Sequence, residues 1–283
     1  MAESFWEAAS VGLPEIPEPL GFDSQKGREG LPMKRTKIWL LALALLALLY
    51  GAARAEMFVE GYIGGNWTAN APDDFTWEGL IRPSYPGHID PAFQGGLKLG
   101  AWFERSGVLS GLNFPTWMRY FGFWLDFSYH ALNFPARTYL SNSDKIPNGT
   151  FSSEGAVATL AFMFGARYGF FPDAEVPFGR LQPYVAVGPA LMFSWQQPTI
   201  NILATQYHWD ADSSSSTNVG LAVEAGLRWM ALKNVSLEVS FKYRYFNPTY
   251  KYQGPLGIGP DPNCYLRPNF HLFSLQVGAA YHF

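Results

Sequence analysis

The chain has 283 residues, of which 48% are hydrophobic, 17% are aromatic and only 15% are charged, and its formal net charge is −3. Charged residues make up roughly 25% of a typical soluble domain, so this composition argues against an ordinary soluble protein. The mean hydropathy of −0.04 argues equally against a bundle of apolar helices. The small negative charge gives no reason to expect a nucleic-acid partner.

The N-terminal region contains a segment typical of protein export. Its apolar run, residues 38–50, is shorter than the about 20 residues that a transmembrane helix needs. Three basic residues precede the run: Lys34, Arg35 and Lys37. An A-x-A site formed by Ala53 and Ala55 follows it. This order predicts a secretory signal peptide over residues 33–55, cut after Ala55. An N-terminal membrane anchor is the alternative.

Residues 1–32 precede the predicted signal peptide. They are rich in Pro and Glu and have no periodicity, so we expect a mis-assigned or disordered extension, with Met33 as the true start. The remainder, residues 56–283, suits a single domain. The chain has one cysteine, Cys264, so no intrachain disulfide is expected.

Eight segments of this domain alternate between apolar and polar or small residues, as strands with two unlike faces do. They are residues 57–67, 92–104, 118–130, 155–170, 182–195, 217–229, 235–246 and 268–283. Proline cannot donate a hydrogen bond to a strand ladder, so Pro189 predicts a bulge in the fifth segment. The alternation therefore predicts an all-β domain of about eight strands.

The connections between these segments differ in length. Four are long and rich in Pro, Gly, Ser or Asp: residues 68–91, 131–153, 196–216 and 247–267. Three are shorter: residues 105–115, 171–181 and 230–234. We expect the long connections to be loops at one end of the domain and the short ones to be turns at the other.

The last segment reads PNFHLFSLQVGAAYHF. Its large apolar residues share one face, and its small and polar residues share the other. It ends on the aromatics Tyr281 and Phe283, and a soluble protein rarely ends on an exposed aromatic strand, because such an edge aggregates. The segment resembles the terminal signal of bacterial outer-membrane β-barrels, which the barrel-assembly machinery reads.

The whole pattern is similar to the transmembrane domain of outer membrane protein A and to the small-barrel family that includes opacity proteins. This resemblance implies a closed antiparallel up-and-down transmembrane β-barrel in the bacterial outer membrane, with both chain ends in the periplasm. It implies outer-membrane lipid or lipopolysaccharide and the assembly machinery as partners. No peptidoglycan-binding domain is expected after Phe283.

Nine charged residues in the strands lie on the face opposite the large apolar ones. They are Glu60, Lys98, Asp126, Arg167, Glu224, Arg228, Glu238, Lys242 and Arg244. A barrel of eight strands is just wide enough for side chains to fill, so we expect a packed polar interior rather than an open pore. Across the turn at residues 230–234, the spacing predicts ion pairs of Arg228 with Glu238 and of Glu224 with Lys242.

A soluble, lipocalin-like barrel with the apolar face inside is the alternative, because a soluble sheet also separates its faces. The signal peptide, the Gly, Ala and Ser content of the charged face and the aromatics near the strand ends favour the membrane barrel. Those aromatics are Phe121, Tyr129, Tyr168, Trp195, Trp229, Tyr243, Tyr245, Tyr281 and Phe283.

The barrel is expected to have a structural or surface-contact role through its loops. The loop aromatics either pack within the loops or form a binding surface: Trp77, Tyr85, Tyr139, Tyr207, Trp209, Tyr250 and Tyr265. A conduit for small apolar molecules is an alternative, because glycines would leave interior or lateral space: Gly64, Gly65, Gly95, Gly96, Gly188 and Gly226.

A lipid A-modifying enzyme is a further alternative. His271 and Ser274 have opposite parity in a strand, so they should point to opposite sides of the wall. Asp126, Ser128 and His130 share a face and have the residue types of a nucleophilic triad, but spacing of two residues on a strand separates neighbours by roughly 6 to 7 Å. No metal-ligand spacing and no cofactor motif is present in the sequence. We therefore expect no enzyme, no cofactor and no metal.

Overall fold

A computed structural model of the chain describes residues 56–69, 71–77, 86–87, 89–103, 115–139, 149–202, 207–253 and 264–283. The predicted extension and signal peptide, with Ala53 and Ala55, lie outside these residues. The described elements are strands apart from one 3-10 helix, Thr116–Tyr120. Within the described part, no helix is long and apolar enough to cross a membrane.

The strands follow one another along the chain with these bounds: β1 (Glu56–Thr68), β2 (Ala71–Trp77), β3 (Pro86–Gly87), β4 (Ala92–Trp102), β5 (Phe121–Ala131), β6 (Phe134–Tyr139), β7 (Gly149–Arg167), β8 (Leu181–Ile202), β9 (Tyr207–Asp210), β10 (Ser214–Leu232), β11 (Val235–Phe246), β12 (Tyr250–Tyr252), β13 (Cys264–Pro268) and β14 (Phe270–His282).

Eight of these strands form a closed antiparallel barrel: β1, β4, β5, β7, β8, β10, β11 and β14. Each pairs with the barrel strand before it and the one after it in the chain, and β1 pairs with β14 to close the ring. The predicted up-and-down barrel of about eight strands is thus confirmed. The third strand begins at Phe121 rather than at residue 118, because the preceding residues form the 3-10 helix.

The two faces of the wall are those that the alternation predicts. On β4, Phe93 is 71% exposed while its neighbour Gln94 is 0% exposed. The same contrast runs along the other barrel strands, so the apolar side chains cover the outside and the charged ones fill the lumen. The lipocalin-like alternative is wrong, because it requires the apolar face inside.

The outside of the barrel has two aromatic rims with aliphatic residues between them. We call the end with the tight turn between β10 and β11 the turn end, and the opposite end the loop end. The turn-end rim contains Phe121, Tyr168, Trp229, Tyr281 and Phe283, and the loop-end rim contains Trp67, Tyr129, Trp195, Tyr243, Tyr245 and Phe273. Aromatic bands flanking an apolar belt are typical of a wall that spans a bilayer.

At the loop end the strands continue beyond the apolar belt, where the sequence predicts loops. Phe246 pairs with Phe270 in β11–β14, and four residues further on Tyr250 pairs with Leu266 in β12–β13. In the same way β6, β9 and β2 prolong β5, β10 and β1. These parts of residues 68–91, 131–153, 196–216 and 247–267 are strands rather than loops, because polar residues can pair in a sheet without the alternation that lipid contact imposes.

The loop-end extension divides into two four-stranded walls. One wall continues the main sheet and contains β6, β7, β8 and β9, and the other contains β12, β13, β2 and β3. Backbone pairing between β10 and β11 ends at Leu221 and Tyr245. Beyond that point, the backbone N–H groups of Thr249 and Lys251 donate to Ser216 Oγ and Ser214 Oγ, at 3.3 and 3.0 Å. We call this row of side-chain contacts the serine seam.

The predicted bulge at Pro189 is absent. Pro189 pairs in continuous register with Leu221 of β10. Toward β7, the register is the same on both sides of Pro189, and the ladder only skips two residue pairs. Proline lacks the N–H group that the skipped positions would use, so the strand accommodates it without an inserted residue.

Candidate functional site

The middle of the lumen is a layer of buried charged side chains. Lys98 is 2.9 Å from Glu60, 2.6 Å from Glu224 and 2.5 Å from Glu238. These residues come from β1, β4, β10 and β11, so the layer joins strands on different sides of the barrel. Buried charges are tolerated only when they are paired, and Lys98 serves three carboxylates at once.

Both ion pairs predicted across the β10–β11 turn are present. Arg228 lies directly opposite Glu238 in the ladder, with Nη2 and Oε2 2.7 Å apart. Glu224 lies opposite Lys242, with 3.4 Å between the charged atoms. Lys242 also pairs with Asp126 across the lumen. The tight turn fixes the register, and the register places opposite charges side by side.

Two tyrosine hydroxyls complete the charged layer. Tyr184 Oη donates to Glu224 Oε1 at 2.6 Å and also to Glu238, and Tyr62 Oη donates to Asp126 at 2.5 Å. A Cβ on Gly96 would lie 2.3 Å from the Tyr62 ring, and one on Gly226 would lie 2.6 Å from the Tyr184 ring. These two glycines therefore make room for tyrosines and leave no interior space of their own.

Other glycines named for the conduit alternative divide between the two faces. A Cβ on Gly64 or Gly188 would meet backbone atoms at 2.2 or 1.8 Å. At Gly65 and Gly95, which face outward, a Cβ would have no heavy atom within 4 Å. Lateral space therefore exists on the outer wall, and the interior positions are filled.

Arg167 closes the charged layer toward the turn end. Its guanidinium donates two hydrogen bonds to the Glu56 carboxylate and one to Gln182 Oε1 at 3.0 Å. It lies 4.3 Å from the ring centre of Trp102 and 4.2 Å from that of Phe178. Sequence reasoning missed Glu56, because it placed this residue next to the cut site and outside the first strand. With Glu56, the lumen residues that the structure describes include five acids and five bases.

Neutral oxygens hold the Arg244 guanidinium. It donates to Ser128 Oγ and Ser274 Oγ, each at 2.8 Å, and to Gln94 Oε1. Three uncharged oxygens from three strands therefore hold a guanidinium that is 0% exposed. All nine predicted charged residues thus point into the lumen, where each is buried.

Apolar residues close the lumen above the charged layer, at the loop end. Phe134 is 6.3 Å from Phe270 and 6.4 Å from Phe151, ring centre to ring centre. Other buried members of this layer are Ile89, Leu132, Ile200, Phe246, Tyr250, Tyr252, Leu266 and Leu272. The expectation of a polar interior is therefore correct only for the middle of the barrel.

Tyr250 and Tyr252 tie this apolar layer to the barrel wall. Tyr250 Oη donates to Ser194 Oγ at 2.6 Å, and Tyr252 Oη donates to the Gln196 carbonyl at 3.3 Å. Burial raises the pKa of the Tyr252 hydroxyl. Tyr250 is 0% exposed, so this loop aromatic packs inside rather than forming a surface, and Trp209 is half-buried against the same core. The side chains of Trp77, Tyr85, Tyr139 and Tyr207 lie outside the described part.

The neighbouring hairpin of β8 and β9 carries an exposed polar group. Thr199 Oγ1 donates to Asp210 Oδ1 at 2.8 Å, and His208 Nε2 is 3.0 Å from Asp210 Oδ2. These contacts, first that of Thr199 and then that of His208, lower the pKa of the Asp210 carboxyl. Asp210 is therefore an anion at neutral pH.

The turn end has a cavity of about 700 Å³. Its wall includes Glu56, Gln182, Asn234, His282 and Phe283. The turn between β7 and β8 forms one side, where Asp173 accepts the backbone N–H groups of Glu175 and Val176. Two of its lining residues, Glu56 and Gln182, accept hydrogen bonds from Arg167, so the cavity lies on the turn-end side of the Arg167 contacts.

Neither candidate catalytic group is assembled. Ser128 is hydrogen-bonded to Arg244, Asp126 to Tyr62 and Lys242, and His130 to Asn66 at 3.2 Å. His271 faces outward, 2.8 Å from Tyr243 Oη, whereas Ser274 faces inward, as their parity predicts. Within the described residues, no group of three or more His, Cys, Asp or Glu side chains is placed to hold a metal ion.

The chain is similar to one known protein family and to several solved structures. Residues 40–283 match the family described as "Outer membrane protein beta-barrel domain". No curated protein sequence matches the chain.

Solved structures with a similar fold include Neisserial surface protein A, at 12% identity and a TM-score of 0.39, covering 81% of this chain and 99% of that one. OprG from Pseudomonas aeruginosa has 14% identity and a TM-score of 0.48, covering 82% and 97%. The outer membrane protease OmpT from Escherichia coli has 9% identity and a TM-score of 0.41, covering 82% and 97%. The family match extends over most of the chain, and it agrees with the closed barrel and its apolar outer belt: the chain belongs to the outer membrane β-barrel protein family and is a protein of the bacterial outer membrane.

Proposed function

We propose that this protein is a closed, non-conducting barrel that holds its loop-end extension at the cell surface for contact with other molecules. The observation that carries the proposal is the continuation of the strands past the apolar belt as two paired walls. A barrel that only filled the membrane would need no such extension. A barrel that conducted ions would need an interior free of the charged and apolar layers.

The proposal places the loop end outside the cell and the turn end in the periplasm. Short turns on the periplasmic side and long connections outside are typical of this architecture. The turn between β10 and β11 is the two residues 233–234, whereas the loop-end connections carry the additional strands.

Labelling of intact cells tests this orientation. Asp212 lies at the loop end and Lys233 at the turn end, and both are exposed. In a Cys264→Ser background, Asp212→Cys should react with a membrane-impermeant maleimide on intact cells. Lys233→Cys should react only after the cells are opened. The reverse pattern would show that the barrel has the opposite orientation.

Planar-bilayer recording tests whether the lumen is closed. The purified barrel should show little or no ion conductance, because the charged layer, the Arg167 contacts and the loop-end apolar layer block the same axis. Steady open-channel currents from the unmodified barrel would contradict the closed lumen, whatever the result of the labelling experiment.

A non-enzymatic role is part of this proposal. The separate hydrogen bonds of Ser128 and His130 support it, because a nucleophile and its base must be within hydrogen-bond reach of each other. Turnover of lipid A that is lost in Ser128→Ala and retained in Ser274→Ala would revive the enzymatic alternative.

A further inference from the structure

One side of the outer wall, formed by β1, β14 and β11, differs from the rest. At the loop-end rim it carries a continuous aromatic group: Trp67, Phe241, Phe273, Tyr243, Tyr245 and His271. Phe273 lies 6.4 Å from Trp67, 6.1 Å from Phe241 and 5.2 Å from Tyr243, and Tyr245 lies 5.0 Å from His271, all between ring centres. Large flat faces with hydroxyl groups at a membrane rim suit a sugar headgroup.

Two exposed cations lie directly beyond these rings, away from the belt. Lys251 is on β12 and Arg267 is on β13, and both side chains are exposed. The register pairs Lys251 with Tyr265, so Arg267 is its diagonal neighbour on the same outward face, roughly 7 to 8 Å away between backbones. Two cations at this separation suit phosphate groups on one headgroup.

An apolar groove of about 480 Å³ lies below the rings, within the belt. It is lined by Gly61, Ile63, Leu237, Val239, Val277 and Ala279. Gly61, Ala279 and Leu237 are consecutive partners in the ladder, so two small residues form a depression beside a large one. The groove begins at Val277, four residues along β14 from Phe273, which is about 13 Å along the strand and is within the hydrocarbon region of the bilayer.

The opposite side of the barrel shows why the cations matter. It also has an outer groove at the rim, of about 400 Å³, next to Tyr129 and Trp195. The described residues above that groove include three exposed acids, Glu154, Asp210 and Asp212, and one exposed base, Arg137 on β6, so the net charge there is negative. An anionic headgroup is repelled there and attracted to Lys251 and Arg267.

We propose that the face of β1, β14 and β11 binds one outer-leaflet phosphorylated glycolipid, with its phosphates at Lys251 and Arg267, its sugars on the aromatic group and one acyl chain in the groove at Gly61. The inference rests on the proposed orientation, because only the outer leaflet presents such a lipid to the loop end.

The test measures lipid A bound per barrel by mass spectrometry after purification in mild detergent. The double variant Lys251→Glu and Arg267→Glu should retain at least about tenfold less lipid A per barrel than the unmodified protein. Lys233→Glu, the matched charge reversal at the turn end, should retain as much as the unmodified barrel. Equal retention in the double variant would overturn the proposal.

A second variant tests the groove. Gly61→Leu should fold, since a Cβ there meets only Leu97 Cδ2 at 3.8 Å, and it should lower lipid A retention by filling the groove. Ala225→Leu adds similar bulk to the outer face of β10, outside the groove, and should have no effect. Heat-modifiability on a gel confirms that each variant is folded.

Vesicles separate this lipid from other anionic lipids. Lipid A in phosphatidylcholine vesicles should raise the unfolding temperature of the unmodified barrel, and the double variant should lose that shift. The same shift with phosphatidylglycerol would overturn the glycolipid assignment. If Asp212→Cys is labelled on intact cells but the charge variants retain normal amounts of lipid A, the lipid site is refuted and the orientation stands. If Asp212→Cys is not labelled, the orientation itself is refuted.

Discussion

The barrel closes its wall in two ways, one within the apolar belt and another beyond it. In the belt, backbone pairing runs around all eight strands. At the loop end, β10 and β12 are joined through the hydroxyls of Ser214 and Ser216 rather than through a backbone ladder. The difference follows from the solvent. An unpaired backbone group in hydrocarbon costs several kcal/mol, whereas beyond the belt water is available to it.

The contents of the two regions are inverted in the same way. The belt is apolar outside and has its charges within, where Lys98 and its neighbours join the strands across the lumen. The loop-end extension has an apolar interior and exposed charges such as Asp212 and Lys251. The same chain thus folds as an inverted protein in the belt and in the ordinary soluble manner beyond it.

The largest effect should come from removing the central cation. Lys98→Met would leave Glu60, Glu224 and Glu238 sharing only Arg228 and Lys242, and breaking a buried ion pair typically costs about 3–5 kcal/mol. The free energy of unfolding, measured by urea titration in lipid vesicles, should fall by about that amount.

Lys233→Met is the matched control, since this lysine is exposed at the turn end, and its effect should be close to zero. A Lys98→Met barrel as stable as the unmodified one would show that the charged layer does not hold the strands together. The belt and the loop-end extension would then differ in stability only through the backbone pairing of their walls, not through the contents of their interiors.

The belt could be predicted from the sequence because lipid imposes strict alternation. The apolar residues of β5 and β11 have a period of two, and the period fixes both strand and face. The ion pairs of Arg228 and Glu224 were also predictable, since a tight turn fixes the register of its two strands. Contacts across the lumen, such as Lys98 with Glu238, join residues far apart in the chain, and no local pattern encodes them.

The loop-end extension could not be predicted, because its strands face water on one side and a small apolar core on the other. Their sequences therefore lack the strict alternation of apolar and polar residues that lipid contact imposes. The run of serines that begins β10 is typical of a loop in sequence, yet Ser214 and Ser216 accept hydrogen bonds from the neighbouring strand. Glu56 was missed for another reason, since it adjoins the predicted cut site. The signal peptide and its cut after Ala55 remain predictions.

A smaller effect should come from the serine seam. Ser216→Ala removes the acceptor of the Thr249 N–H group, and one such hydrogen bond contributes about 0.5–1.5 kcal/mol. Water replaces the lost acceptor, so we expect the low end of that range. Hydrogen exchange at Thr249 should become faster, while exchange at Leu221 and other belt amides should not change.

Ser215→Ala is the control for the seam, because Ser215 points outward from the same strand. It should leave the exchange rate of Thr249 as it is in the unmodified protein. Faster exchange throughout the belt in Ser216→Ala would mean that the two regions open together, and the distinction between them would fail.

The smallest effect concerns acid and the turn end. The backbone N–H of Val176 and then the Arg180 guanidinium hold the pKa of the Asp173 carboxyl below its ordinary value of 3.8. A lowered carboxyl pKa stabilises the fold above the unfolded-state pKa, and this contribution is lost as the pH falls through the lower, folded-state value. Acidification below about pH 4 should therefore increase protease cleavage in the turn between β7 and β8 before the belt responds.

Asp173→Asn should remove this pH dependence, because the amide oxygen still accepts the N–H groups but does not titrate. If the variant is equally sensitive to acid, the cause is protonation of the lumen carboxylates instead, and the turn and the belt lose their structure together.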